Sequence, residues 1–290
     1  MNKSETILIT GSCGMIGKSL RDKMLNRGYS VIGVDCRVEK STDNYRHLTV
    51  NLENSEKLAE IFDTYKIDRV IHLAALAHAF DGRKLGYGDY YAANVVSASN
   101  IFNASARKKI PVLFISTVDV FGFTGTLPVN ADTPVSPVTS YGKTKALAED
   151  SLKKICFENR SKYTIFRFSP VYTDTVKRDI QKRYYLKYPN WAYQIGGGNE
   201  YEVLNIKKAV DSMCCWVREE PQNNIKIIKD EKLLNTREMI AEEKDHGRAL
   251  HVLKFPKWAV DAGFFVLKAI MGENKYTFLL NKAVNPLRTE

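Results

Sequence analysis

The segment ILITGSCGMIG constrains the fold more tightly than any other stretch of this 290-residue chain. A strand-like run, Thr6–Thr10, leads into Gly11, Gly14 and Gly17, and a helix-patterned segment, Ile16–Asn26, starts among those glycines. Between a strand and a helix, each glycine has its own physical reason. Gly11 permits the tight turn, Gly14 lets backbone approach a pyrophosphate, and Gly17 allows the helix to pack close to the strand. The first N–H groups of the helix then face the anion. Cys13, Met15 and Ile16 complete this expected cofactor loop. Cys13 reads as a small loop residue, since neither a base nor a metal partner stands near it in sequence. A glycine-rich turn without a ligand is the bland alternative.

The rest of the first half keeps the same alternation. Apolar runs of strand length stand at Ser30–Asp35, Arg69–Leu73, Val112–Ser116 and Tyr163–Phe168, with helix-length segments at Ser55–Tyr65, Tyr90–Lys108 and Tyr141–Asn159. Continuous apolar strands separated by helices predict a doubly wound parallel sheet, an α/β domain with both faces covered. After Pro170 the rhythm loosens. A turn at Gly196–Gly198, a helix near Ile206–Arg218, a strand near Asn224–Lys229 and two helices within Phe255–Ala283 predict a small α+β region. The expected division is 1–170 for cofactor and 171–290 for substrate, with part of 200–230 returning to the first domain.

Asp35 ends the second strand, eighteen residues after Gly17. An acid there accepts hydrogen bonds from a ribose diol and repels a 2′-phosphate, which favours NAD over NADP. Arg37 pulls the other way, and a simple capping aspartate is the plainer alternative.

Composition narrows the class. With 44% hydrophobic and 26% charged residues the chain reads as an ordinary globular enzyme. Five cysteines at irregular spacing suggest neither disulfides nor a zinc site, so no metal is expected and a cytoplasmic location is. The start resembles no signal peptide, and no stretch reaches the roughly 20 apolar residues of a membrane span. The net charge of +10 is partly carried by TVKRDIQKRYYLKYP, where basic residues alternate with tyrosines. An anionic substrate or a solvated helix face with Tyr184 and Tyr185 turned inward explains that segment; no nucleic-acid motif accompanies it.

Tyr141 stands four residues before Lys145 in SPVTSYGKTKALAE, so both fall on one helix face. Alone the pair says little. With the glycine loop, VIHLAALAH, YAANVVSASNIF, FISTVDVFG and FRFSPVY in that order, the chain resembles the extended short-chain dehydrogenase/reductase family, specifically its NAD-dependent nucleotide-sugar epimerases and dehydratases. The resemblance covers Ile7 to about Tyr172. It implies a Rossmann fold and NAD contacts from Asn51, Leu52, Leu73, Ala74, Ala75, Asn94, Tyr141 and Lys145, beyond those of the loop and Asp35. It makes Tyr141 the acid/base at a sugar hydroxyl, with Lys145 lowering its pKa and Thr117, or Ser116, holding the same oxygen. A free phenol near ~10 is too weak a base without such help. Substrate contacts are expected from Ser116, His78, Asp119, Lys182, Arg183 and Tyr201. His72 reads as packing near the cofactor, and relatives commonly dimerise through the Tyr–Lys helix and the one before it.

Three reactions share this machinery. Val118 and Asp119 follow Thr117, so the first acid of the glucose-type dehydratases is missing. Asn51, Pro170, Thr173, Tyr201 and Lys207–Lys208 depart from the family pattern around adenine and the substrate diphosphate. The expected function is an NAD-dependent nucleotide-sugar 4-epimerase serving surface polysaccharide synthesis. The alternatives are a 4-keto reductase, then a 4,6-dehydratase, then a non-catalytic NAD-binding protein. The C-terminal HVLKFPKWAVDAGFFVLKAIMGENKYTFLLNKAVNPLRTE sets apolar residues at helical spacing among lysines, consistent with core packing, a dimer face or a membrane-surface helix.

Overall fold

A computed structural model describes residues 5–77, 85–122, 128–173, 178–181, 183–186, 190–270 and 286–290. His78 and Lys182, both expected to meet substrate, lie outside these residues. The chain packs as two interleaved units. One comprises Met1–Val120, Thr139–Phe168 and Ile206–Ile228; the other comprises Phe121–Val138, Ser169–Asn205 and Lys229–Glu290.

In the first unit the elements are β1 (Thr6–Thr10), α1 (Met15–Asn26), β2 (Ser30–Asp35), β3 (Tyr45–Thr49), α2 (Ser55–Thr64) and β4 (Arg69–His72). There follow α3 (Tyr87–Tyr91), a π-helical turn (Ala92–Val96), α4 (Ser97–Arg107), β5 (Val112–Thr117), α5 (Ser140–Asn159), β6 (Tyr163–Phe168), α6 (Ile206–Arg218) and β7 (Asn224–Ile228). Seven parallel strands lie in the order β7-β6-β5-β4-β1-β2-β3. Helix α1 packs on α6, while α4 packs on both α2 and α5. The chain runs outward from β1 to β3, then returns to β4 and runs the other way. Strand order therefore reverses between β1 and β4, whose ends meet at Thr10 and His72. Ligands of open α/β sheets sit at such a reversal, outside the carboxyl ends of the strands.

Leu8, Ile32, Val70, Phe102, Phe114 and Ile165 are buried in one core, as strands covered on both faces require. The strand β3 carries no apolar run, because it pairs only with β2 and buries just Tyr45 and His47 of its first three residues. Helix α5 starts where the Thr139 hydroxyl accepts the Gly142 N–H at 2.9 Å. A Cβ on Gly142 would lie 2.6 Å from the Asp119 carbonyl oxygen, so only glycine lets α5 begin this close to the end of β5. That contact seats Tyr141 in the first turn.

The second unit is α+β. Trp191–Ile195 pairs with His251–Phe255 in parallel and with Tyr185–Leu186 antiparallel, alongside a helix over Thr236–Asp245. Ile180, Tyr184, Ala192, Tyr201, Met239 and Ile240 form its core. Tyr184 is buried and Tyr185 half-buried, in line with the inward-facing alternative for the basic segment. Of the two helices expected in 255–283, Lys257–Ile270 is present, and the remainder falls outside the described residues. No described helix is long and apolar enough to cross a membrane.

Candidate active site

The glycine loop follows β1 and opens α1. Gly11 has φ +69°, and a Cβ there would meet the Ala74 nitrogen at 2.8 Å. A Cβ on Gly17 would meet the Gly11 carbonyl oxygen at 2.1 Å, inside any van der Waals separation. The loop thus has the close backbone approach that a pyrophosphate cradle needs, and side chains would fill it. Ala74, after β4, closes the same turn by donating its N–H to the Thr10 hydroxyl at 3.2 Å. Leu73 donates to the Thr10 carbonyl at 3.3 Å, and Ala75 is exposed beside them. Met15 and Ile16 are half-buried in the first turn of α1.

Asp35 is buried at the end of β2. It accepts the Cys13 N–H at 3.0 Å, and its two oxygens accept Arg37 Nε at 3.0 Å and Nη2 at 3.2 Å. Burial raises the carboxyl pKa, but the Arg37 and Cys13 hydrogen bonds outweigh it and hold the group below its ordinary value. Both carboxylate oxygens are thus occupied by the guanidinium. Cys13 donates its thiol to Glu39 at 3.2 Å, and burial, then Glu39, push that thiol up to about 11. Cys13, Glu39 and His47 bring ligand-type atoms within 4.8 Å of one another. Arg21 already pairs with Glu39 at 2.7 Å, and His47 bonds the Arg37 carbonyl and the Tyr45 hydroxyl. The trio is a hydrogen-bonded network.

Two expected cofactor contacts look different in three dimensions. Leu52 is buried in the core, and Asn51 is exposed with its side-chain oxygen accepting the Glu53 N–H. Asn94 has its amide committed within the protein: it accepts from Leu76 N–H at 2.7 Å and donates to the Leu76 carbonyl and the Thr144 hydroxyl. From its π-helical turn it staples the segment after β4 to α5, so it acts on the site by positioning backbone.

Tyr141 and Lys145 lie one turn apart on α5, and Thr117 is buried at the end of β5. The Lys145 ammonium sits 3.9 Å from the centre of the Phe114 ring, a cation–π contact. No hydrogen bond joins it to Tyr141 among the described residues. Burial, then the Asp119 carboxylate, push the Tyr141 phenol above its ordinary value. The expected lowering of the phenol by Lys145 is therefore not what the protein groups alone produce, because the cation faces Phe114. Asp119 is exposed, and its backbone N–H donates to the Thr117 hydroxyl at 3.2 Å. Ser116 is buried, and its hydroxyl has no partner among the described residues. In the second unit, Tyr201 is fully buried with the Arg183 guanidinium 4.4 Å from its ring centre. A substrate contact through the Tyr201 hydroxyl face is thus replaced by a core role.

Sequence reading missed Phe114 and Glu149, and took His72 for a packing residue near the cofactor. Phe114 supports Lys145 and stacks on His72 at 5.7 Å. His72 accepts from or donates to the Thr10 hydroxyl at 2.7 Å, and burial, then Lys145, push its pKa down to about 3. Glu149 pairs with Arg167 at 3.1 and 2.8 Å. Glu149 was findable: it continues the four-residue spacing of Tyr141 and Lys145.

Burial depresses the Lys145 ammonium from 10.5 to about 7, and Glu149 opposes that shift. Between those values the unfolded chain holds a proton that the native state lacks, so stability from this site rises with pH across the window and is flat below it. Lys145→Met should therefore gain most over wild type at or below about pH 7 and lose that advantage toward about pH 10. Urea unfolding at several pH values checks this; a pH-independent difference would mean that Lys145 titrates normally.

The family model described as "NAD dependent epimerase/dehydratase family" matches residues 7–210. The bifunctional protein gal10 of Schizosaccharomyces pombe is 32% identical over 187 residues, 58% of this chain and 26% of that protein. UDP-glucose 4-epimerase of Dictyostelium discoideum is 31% identical over 166 residues, 52% of this chain and 47% of the relative. The chain thus matches half or less of the length of these relatives. The structure of the UDP-Glc/GlcNAc 4-epimerase from Campylobacter jejuni superposes with a TM-score of 0.73 at 19% identity, covering 88% of this chain and 87% of that one. At this identity the superposition speaks for the fold. Together with the glycine loop at the strand-order reversal and the Tyr141–Lys145 turn of α5, the family match over most of the chain has one reading: this chain belongs to the NAD-dependent epimerase/dehydratase family.

Proposed function

We propose that the chain is an NAD-dependent nucleotide-sugar 4-epimerase. The observation that carries this reading is the placement of Tyr141 and Lys145 on α5 beside the end of β5, where Thr117 lies, in the unit that carries the glycine cradle. Relatives in sequence from Dictyostelium discoideum and Drosophila melanogaster are UDP-glucose 4-epimerases by name, which supports the same reaction here. The residues fit NAD: Gly11, Gly14 and Gly17 leave room for a pyrophosphate, and Asp35 offers a carboxylate for a ribose diol. NAD held in this cradle would supply a reversible hydride acceptor for the sugar carbon. Tyr141 takes the proton of the sugar hydroxyl and gives it back, and Thr117 donates a hydrogen bond to the same oxygen. Lys145 lies one turn along α5 over Phe114, and positive charge added beside the phenol is what would bring the Tyr141 pKa down. Ser116 and Asp119, at and just after the end of β5, are the substrate contacts this reading assigns within the first unit; His78, Lys182 and Arg183 are candidates on their residue types alone. Asn51, Leu52, Leu73, Ala74, Ala75 and Asn94 shape the cofactor side.

Val118 in place of an acid after Thr117 weighs against dehydration. Arg37 favours a second reading, a 4-keto reductase using NADPH, because a guanidinium beside Asp35 can grip a 2′-phosphate. The free thiols of all five cysteines support a cytoplasmic site of action.

Proton NMR of the chain with UDP-sugars and trace NAD tests the proposal. A second anomeric signal that grows to equilibrium without net NADH is expected; a UDP-4-keto-sugar consumed only with NADPH would establish the reductase instead. Cofactor choice has its own test. Arg37 must leave Asp35 before a ribose diol can replace it, so Arg37→Ala should tighten NAD about three- to tenfold and weaken NADP by at least as much. Calorimetric titration reads both; weaker NAD binding by the variant would show that Arg37 assists the diol.

A further inference from the structure

The helix Lys257–Ile270 leaves large apolar side chains in solvent. Trp258 is 73% exposed, Phe265 79%, Ile270 76% and Val266 58%. At 100° per residue these four fall within an arc of about 140°. Lys257 and Asp261 pair at 2.8 Å outside that arc. The approach to the helix adds the exposed Leu250 and Phe255, with Lys254 exposed between them. Single exposed apolar residues are ordinary, but a continuous arc carrying two aromatics marks a surface that something covers. Core packing, expected first from the sequence, does not account for it.

Charge separates the remaining occupants. The whole chain carries +10. Among the described residues at this surface, Lys254 is exposed and Lys257 is paired with Asp261. Two copies of a chain with this net charge repel each other, whereas an anionic leaflet attracts each of them. Lysines at the entry to the helix with Trp258 and Phe265 on the apolar arc match an interfacial helix: ammonium groups stay at headgroup level while the rings enter the acyl boundary. The fourteen described residues span about 21 Å, short of the ~30 Å hydrocarbon core, which suits a helix lying in the plane of the surface.

We propose that Lys257–Ile270 is a membrane-surface helix that docks this chain reversibly on anionic bilayers. The inference stands on the exposed arc and the charge, and holds whatever sugar the active site accepts.

The test is sedimentation of the full chain with phosphatidylcholine vesicles, with and without phosphatidylglycerol. Binding to the anionic vesicles should be at least about tenfold stronger and should fall as salt rises. The variant Phe265→Asp with Ile270→Asp should lose that binding by about tenfold or more, with unchanged circular dichroism and NAD affinity, since both side chains are exposed and apolar. Absent binding to anionic vesicles would overturn the proposal, as would equal binding by the variant. A concentration-dependent dimer that the variant dissolves, without vesicle binding by wild type, would assign the arc to a second copy and overturn it as well.

Discussion

Tyr141→Phe should lower kcat by about 10²–10⁴-fold, the range for removing a positioned acid/base, while NAD binds as before. The change deletes one oxygen and keeps the ring. The start of α5 is held by the Thr139 cap and by the close approach of Gly142 to Asp119, neither of which involves the phenol. Lys145 is held by Phe114, so its ammonium also stays in place. Burial and Asp119 keep the phenol protonated in the protein alone. Its proton is therefore lost only when positive charge is added next to it, and activity should rise with pH through that transition in wild type and not in the variant. Rates from the NMR assay, paired with calorimetric NAD affinity, separate the outcomes. Retention of wild-type turnover would remove Tyr141 from the chemistry; loss of NAD binding would make it structural.

Glu149→Ala should destabilise the first unit by roughly 3–5 kcal/mol, the cost of removing one partner from a buried ion pair. Glu149 is 1% exposed and Arg167 2%, and their fork-to-fork geometry joins α5 to β6. Without the carboxylate, the guanidinium keeps its charge in a place that water reaches poorly. The pair itself need not add net stability. Glu149→Leu with Arg167→Met should therefore recover most of the loss, since buried pairs are often replaceable by apolar residues of similar size. Denaturant unfolding of both variants decides the matter. A loss under about 1 kcal/mol for Glu149→Ala would mean that the site is wetter than its burial implies. The substitution also removes the carboxylate that raises the Lys145 pKa, so the Lys145 ammonium should titrate lower still.

Much of the first unit is legible in the chain because it is local. Strands at Thr6–Thr10, Ser30–Asp35 and Tyr163–Phe168 announce themselves as apolar runs, and helices α1, α2 and α5 as four-residue periods. The glycine loop and the Tyr141–Lys145 turn are likewise short-range: spacing along one element fixes which side chains share a face. Strand β3 escaped, since an edge strand needs no apolar run. What each side chain meets is a different matter. Phe114 under Lys145, Arg37 across Asp35, Arg167 on Glu149 and Tyr201 beneath Arg183 join residues on different elements or on loops whose course no period describes. A strand near Asn224–Lys229 and a return of part of 200–230 to the first domain are expected from the chain; that β7 pairs with β6 is decided by the fold. Sequence by itself determined the elements, their parallel alternation and the chemistry-bearing residues. Only the tertiary structure decided which charges are already taken and which apolar faces stay open, because sheet order and packing, not spacing, bring distant side chains within reach.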